Sequence, residues 1–214
     1  MSESASKAPL VVAIDFKQPQ SYLAKNPTAK LAAALGVAID WQPVESRPFE
    51  APPAQSAAGD RGMRHRRFRA LYLERDLRRY AEAQGLVLGD LHRKTDGSVA
   101  GMGLLFAKSR AAENGSATVA DAYVDAVFDG YWRGSLDLDD VEVIRAVLER
   151  AGAPAASFDP AALRPEYEAT VARWREAGVI EAPAYIVGDE LFIGRSHLPM
   201  IEWLWKGKTG APPI

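Results

Sequence analysis

The sequence predicts an α/β fold whose elements follow the order β-α-β, a helical insertion, then α-β-β-α. Two apolar, β-branched runs, LVVAIDF (10–16) and VAIDWQPV (37–44), flank a helical segment at 20–35. Residues 64–151 have helical periodicity almost throughout. PAYIVGDELFIG (183–194) has the pattern of a β-hairpin that turns at Gly-Asp. A strand–helix–strand unit of this size favours a parallel pair of strands with a right-handed crossover.

The composition limits the chemistry that the chain can perform. Its 214 residues include no cysteine and three histidines, with a formal net charge of −2. A chain without cysteine offers no thiolate, disulfide or thiolate metal site, and the histidines are not spaced as an HxxxH pair. We therefore expect no metal. The net charge gives no reason to expect a nucleic acid or a membrane as partner.

The ends of the chain are expected to lie outside the fold. Residues 1–9 are predicted to be disordered, and residues 207–214 to form a C-terminal tail that frays. The apolar run that follows the N-terminus is short and stops at Asp15, which does not fit a signal peptide. No segment approaches the roughly 20 apolar residues that span a bilayer. The sequence therefore predicts a cytoplasmic protein.

The first predicted helix has recognisable signals at both ends. Pro19 suits the first helical position, and Gly36 suits the position just after the last turn. Pro27 is expected to kink the helix or to restart it. After the second strand, the proline-rich segment 43–62 predicts an irregular loop.

The residues after this loop predict several amphipathic helices. One helix face is formed by Ala70, Leu73, Leu77, Tyr80, Ala81 and Gln84. A second apolar stripe is formed by Val119, Ala122, Tyr123, Ala126, Val127, Gly130 and Tyr131. Later helices are expected from about Pro160 or Pro165 to Gly178 and over 196–205.

RGMRHRRFR (61–69) holds five arginines at the start of the first of these helices. Such a run predicts either a phosphate-binding patch or a solvated helix start. No nucleic-acid motif accompanies it and the net charge of the chain is negative, which favours the solvated helix, with part of the run meeting an anionic ligand.

Five motifs, in order, resemble one family. They are DFKQPQSYLA (15–24), RPF (47–49), YLERDLRRYA (72–81), AVFDGYWRGSLDLDD (126–140) and the APAYIVGDELFIG hairpin with its following helix (182–204). Together they resemble the 2-hydroxychromene-2-carboxylate isomerases and kappa-class glutathione transferases of the DsbA-like superfamily. The resemblance implies a thioredoxin fold with a large all-helical insertion. It implies a thioredoxin-like domain at 10–62 and 160–206, and an insertion domain at 63–159.

The resemblance also implies a glutathione site around a prolyl bond. In such folds the proline before the third strand follows a cis peptide bond, here Ala182-Pro183. The backbone of the residue before it pairs with the cysteinyl backbone of glutathione. The alternative is that Pro183 only shapes the entry of a strand.

At the start of the first helix, the family has a serine whose hydroxyl binds the glutathione thiolate. Here that position is Gln18, whose amide still carries N–H donors, so Gln18 is the candidate catalytic residue. Lys17 adds positive charge, and Ser21 matches the second serine of the motif. The alternative is that Gln18 caps the helix or points to water. Without cysteine, disulfide exchange is excluded.

The other end of glutathione is expected near the last helix. Where the family has an aspartate that receives the γ-glutamyl amine, this chain has Ser196, and Arg195 and His197 make the corner basic. Ser196 could instead cap the last helix. His197 is a weaker candidate for general acid–base work. Arg47, in the loop, is expected to meet a carboxylate.

The resemblance as a whole implies a glutathione-linked isomerase, or a glutathione transferase of the kappa type. It would interconvert cis and trans isomers of a small anionic or aromatic substrate, using glutathione as cofactor. Relatives are commonly dimers, so a homodimer is expected, with the stripe containing Tyr123 and Tyr131 as a possible interface. Because Gln18 and Ser196 both depart from the family, the alternative is a catalytically lapsed, DsbA-like binding module.

Overall fold

A computed structural model describes residues 8–54, 61–114 and 118–213 of the chain. Residues 1–7, most of the segment predicted to be disordered, lie outside the described residues. The same holds for residues 55–60 of the predicted loop. The structure confirms the predicted order of elements.

A four-stranded mixed sheet forms the centre of the fold. Its strands are β1 (Leu10–Ile14), β2 (Ile39–Pro43), β3 (Ala184–Val187) and β4 (Glu190–Ile193), in the order β2-β1-β3-β4. β1 and β2 are parallel, as predicted, and the other two pairs are antiparallel. The β3–β4 hairpin turns at Gly188, whose φ of 60° lies in the left-handed region that glycine adopts without penalty.

Helix α1 (Pro19–Leu35) is continuous through Pro27, so the predicted restart is wrong. A proline inside a helix leaves the carbonyl four residues earlier without its backbone donor, here that of Leu23. The side chain of Gln84 donates to this carbonyl at 3.0 Å. This bond, from the turn that follows the neighbouring helix, explains how α1 accommodates the proline. The helix ends at Gly36 in the left-handed conformation, as expected.

The remaining helices surround the sheet. The insertion contributes α2 (Arg61–Ala83), α3 (Ser98–Asn114), α4 (Thr118–Trp132) and α5 (Val141–Arg150). They are followed by α6 (Pro160–Glu176) and α7 (Leu198–Trp205), with short 3-10 helices at Ala155–Ser157 and Arg195–His197. Among the described residues, no helix is both long and apolar enough to cross a membrane.

The stripe suggested as a dimer interface lies inside the protein. Tyr123 is 0% exposed and Tyr131 is 4% exposed, and both belong to the hydrophobic core. The hydroxyl of Tyr123 donates to the carbonyl of Ala100 at 2.8 Å. The assignment of this stripe to an interface is therefore wrong, while the homodimer itself stays a prediction.

Candidate functional site

Two adjoining cavities lie where α2 of the insertion faces the thioredoxin-like part. The larger one, about 630 Å³, is bounded by the start of α1, the loop 46–53, α2 and the segment before β3; we call it the main cavity. The smaller one, about 450 Å³, lies further along α2 and is bounded by residues 193–196; we call it the side cavity. Both are lined by Gln20, Leu73, Glu181 and Ala182, so the two form one groove.

Three predicted site residues line the main cavity, namely Gln18, Arg47 and Ala182. Gln18 precedes the first helical residue of α1 with an extended backbone, and its side chain makes no capping hydrogen bond. Its Nε2 donates instead to the carbonyl of Arg47, and the residue is only 6% exposed. Gln18 therefore neither caps the helix nor points to water. It ties the start of α1 to the loop that follows β2.

Two residues that line this groove have backbone groups without a partner among the described residues. Ala182 is 2% exposed, and neither its N–H nor its carbonyl bonds to a residue within 8–54, 61–114 or 118–213. The N–H of Gln20, in the first turn of α1, likewise has no acceptor among these residues. Buried backbone groups are almost always paired in folded proteins, so such groups beside a cavity suit a ligand. The peptide bond between Ala182 and Pro183 is cis, and the carbonyl of Pro183 accepts from the N–H of Gly194 at 2.8 Å.

Lys17 and Ser21 lie away from both cavities. The Nζ of Lys17 donates to the carbonyl of Asp96 at 2.7 Å and lies 3.6 Å from a carboxylate oxygen of Asp15. Ser21 is 1% exposed, and its Oγ accepts from the N–H of Asp15 at 3.4 Å. Both side chains are thus engaged by other parts of the protein, and neither lines the groove.

The sequence interpretation missed Asp15, a buried carboxylate at the end of β1. It accepts from the N–H of Lys17 at 3.1 Å and from the N–H of Ser46 at 2.8 Å. Burial raises the pKa of this carboxyl group, while the charge of Lys17 and the two N–H donors act against the rise. The carboxylate therefore joins the two loops that carry Gln18 and Arg47. An acidic residue directly after a buried strand was the available signal, because ligands of α/β folds bind at that end of the strands.

The corner expected to hold the γ-glutamyl end is only partly assembled. Arg195 lines the side cavity, and its guanidinium carbon lies 3.8 Å from the ring centroid of Tyr80, a cation–π contact. Ser196 also lines this cavity but does not cap α7, which is preceded by His197 and has no side-chain cap; the capping alternative is wrong. His197 is exposed, lies beside the ring of Phe192 and lines neither cavity.

The arginine run of α2 contributes residues that the sequence interpretation did not single out. Arg66 and Arg69 line the main cavity together with Ala70 and Leu73. The predicted apolar face of this helix already included the last two. If this face is continued by one turn towards the N-terminus, it includes both arginines, because Arg66, Arg69, Ala70 and Leu73 occupy positions i, i+3, i+4 and i+7 of the helix. Arg67 points elsewhere and donates to the carbonyl of Pro53 at 3.0 Å.

Comparison with known proteins places this arrangement in a family. The family model of the DSBA-like thioredoxin domain matches residues 10–204. The chain belongs to this family. The thioredoxin fold predicted from the sequence is thereby confirmed.

Individual relatives extend the comparison. A 2-hydroxychromene-2-carboxylate isomerase of Sphingobium xenophagum is 27% identical over 196 residues, covering 88% of this chain and 93% of the relative. A solved structure of a 2-hydroxychromene-2-carboxylate isomerase aligns with a TM-score of 0.69 and 23% identity, covering 94% of this chain and 95% of the other. The cytosolic disulfide reductase DsbM of Pseudomonas aeruginosa, solved with GSH, aligns with a TM-score of 0.56 and 17% identity, covering 94% and 96%. The predicted resemblance to the isomerase group is confirmed.

Proposed function

We propose that this protein is a glutathione-linked isomerase that acts on a small anionic or aromatic substrate. The relatives named as 2-hydroxychromene-2-carboxylate isomerases support the reaction class, and the glutathione-bound neighbour supports the cofactor. The proposal includes a cytoplasmic location, where the glutathione pool keeps thiols reduced.

One observation carries the proposal: Gln20 and Ala182, which line both cavities of the groove, have backbone groups without a partner among the described residues. The N–H and carbonyl of Ala182 suit the antiparallel pairing of a cysteinyl backbone, which offers one acceptor and one donor in return. The N–H of Gln20 stands at the positive end of a 17-residue helix, where a negatively charged sulfur is stabilised by the helix dipole. These groups fit a thiol-bearing peptide such as glutathione.

The side cavity suits the γ-glutamyl end. Arg195 is held by its contact with Tyr80 and makes no ion pair with a described residue, so its N–H groups are available to a carboxylate. Ser196, also on this cavity, offers a hydroxyl that can donate or accept. Arg47 is assigned to a carboxylate in the main cavity. Of these residues only Ser196 can accept from the γ-glutamyl amine, where the family pattern has an aspartate, and Arg195 would bind the carboxylate beside that amine.

When bound, glutathione supplies a nucleophilic thiolate that adds reversibly to a conjugated double bond and allows rotation about it. The chain's own part is to bind and orient. The start of α1 stabilises negative charge, Ala182 fixes the peptide backbone, and the apolar side chains of Phe49 and Leu73 exclude water from one side of the main cavity.

A lapsed binding module is the second candidate, and the bond from Gln18 to the Arg47 carbonyl favours it. In this position the amide holds a loop, whereas the family's serine holds the thiolate. Gln18→Ser separates the two candidates: if the variant gains isomerase activity that wild type lacks, the natural chain is a binding module.

Titration calorimetry with glutathione at millimolar concentrations tests the proposal. We expect wild type to bind, and Arg195→Gln to bind on the order of tenfold more weakly, because a charge-assisted hydrogen bond contributes about 1.5–3 kcal/mol. The matched control is Arg150→Gln, since Arg150 is an exposed arginine at the end of α5 that lines neither cavity. This variant should bind glutathione as wild type does. Absence of heat from wild type would refute the glutathione linkage.

A further inference from the structure

The arginine run of α2 is divided by helical phase. Arg66 and Arg69 face the main cavity, whereas Arg67 binds the carbonyl of Pro53 and so holds the loop that forms another wall. Arg64 is exposed and lines neither cavity. Arg66 and Arg69 are exposed as well, but unlike Arg64 they border the main cavity, where a bound ligand can reach them.

These two arginines lack strong partners among the residues that the structure describes. Arg69 makes no hydrogen bond or ion pair with any residue in the described ranges. The contact of Arg66 is with the sulfur of Met63 at 2.9 Å, and a thioether is a weak acceptor. Glu50 and Glu181 line the same cavity, but neither forms an ion pair with Arg66 or Arg69.

The side chains beside them are apolar and include the aromatic ring of Phe49. Pro48, Phe49 and Pro53 come from the loop, and Ala70 and Leu73 come from α2. Unpaired guanidinium groups beside such walls suit a ligand with a planar apolar body and a carboxylate. A guanidinium group can bind a carboxylate through two parallel N–H donors, which an ammonium group does not reproduce.

We propose that Arg66 and Arg69 are specificity-determining residues that bind the carboxylate of a ligand in the main cavity. The proposal deepens the proposed function and rests on it for the reaction, but the carboxylate site itself is a property of the cavity. Two sources of carboxylate share this chemistry: the glycyl end of glutathione, and an aromatic second substrate.

The test compares a charged probe with its neutral counterpart. Titration calorimetry at low salt measures 2-naphthoate, 2-naphthamide and glutathione against wild type, Arg66→Gln and Arg69→Gln. Arg64→Gln removes the same charge from the same helix and is the matched control. We expect Arg66→Gln and Arg69→Gln each to weaken the binding of naphthoate about tenfold and to leave the binding of naphthamide unchanged. Arg66→Lys and Arg69→Lys should restore part of the naphthoate affinity, because Lys keeps the charge but not the paired donors. Arg64→Gln should change the affinity for neither probe.

The arms with the three ligands separate the possibilities. If the two variants weaken the binding of naphthoate alone, the carboxylate belongs to the aromatic substrate. If they weaken the binding of glutathione as well, the glycyl carboxylate of glutathione also binds these arginines. The inference is overturned if wild type does not prefer naphthoate to naphthamide, or if both probes weaken equally in the variants. The failure of this inference can be told apart from the failure of the proposed function. If wild type does not bind glutathione, the proposed function fails, but weaker naphthoate binding in the two variants would still support the carboxylate site.

Discussion

At the scale of single residues, the site depends on a carboxylate, that of Asp15, which lines neither cavity. Asp15 accepts N–H groups from both loops that border the main cavity, and it lies behind Gln18 with its side chain almost fully buried. Burial is the largest influence on its pKa and raises it. The position of Gln18 and Arg47 is therefore linked to the protonation of a group in the interior.

Replacing Asp15 by Asn should change how stability depends on pH. The folded pKa lies above the unfolded value of about 3.9, so between these values the folded chain binds more protons than the unfolded chain. The contribution of Asp15 to the free energy of unfolding is then complete below about pH 3.9 and is lost as pH rises through the folded pKa. Urea unfolding at several pH values from 4 upward should show that the free energy of unfolding of wild type falls relative to that of Asp15→Asn as the pH rises.

Asp189→Asn, in the exposed turn of the β3–β4 hairpin, is the control for removal of a carboxylate without burial. A wild-type free energy of unfolding that instead rises relative to that of Asp15→Asn with increasing pH would mean that the two N–H donors and Lys17 outweigh burial. In that case the assigned direction of the pKa is incorrect.

The residues that line the groove were predictable in part. Gln18, Arg47 and Ala182 follow from motifs with fixed spacing, and the structure brings them to one cavity. Lys17 and Ser21 belong to the same motif but turn towards the protein, because partners distant in the sequence or buried beside them engage their side chains. The direction of a side chain in a turn depends on such partners, which spacing alone does not reveal.

At the scale of elements, α3 packs closely because it contains glycines at contact positions. A Cβ at Gly101 would overlap the ring of Tyr167 on α6, and one at Gly103 would overlap the hydroxyl of Tyr123 on α4. The second contact continues into the bond from Tyr123 to the Ala100 carbonyl. The absence of side chains here lets two helices approach α3, which fixes the insertion against the sheet.

Gly103→Ala should destabilise the protein although alanine favours helix. The gain in helix propensity is about 0.8–1.0 kcal/mol, whereas overpacking a core costs about 1–3 kcal/mol. We expect a net loss of up to about 2 kcal/mol in the free energy of unfolding, measured by urea denaturation. The loss should shrink in a Tyr123→Phe background, where the nearest overlapping atom is gone. A stabilised Gly103→Ala would contradict the packing described.

Elements were predicted best where local signals agreed. The glycine after α1, the tight turn of the hairpin and the parallel strand pair all follow from residues close in sequence. The continuity of α1 through Pro27 could not be predicted, because it depends on Gln84, a residue 61 positions away from the carbonyl that it binds. The burial of the α4 stripe likewise depends on which helices surround it.

At the scale of the whole molecule, the insertion and the sheet share one hydrophobic core. That core includes Val12 of β1, Leu23 of α1, Phe128 of α4 and Tyr185 of β3. The groove lies at the same junction, with α2 on one side and the start of α1 with Ala182 on the other. The insertion is thus part of the site, while the domain boundaries drawn from the sequence stay predictions.

At the scale of the whole protein, the proposed isomerisation needs both the groove and a thiol. The most direct measurement follows the absorbance of 2-hydroxychromene-2-carboxylate mixed with the protein in the presence and absence of millimolar glutathione. We predict isomerisation faster than in buffer only when protein and glutathione are both present, and loss of this rate when S-methylglutathione replaces glutathione. No rate above buffer with glutathione, or an equal rate without it, would contradict the account.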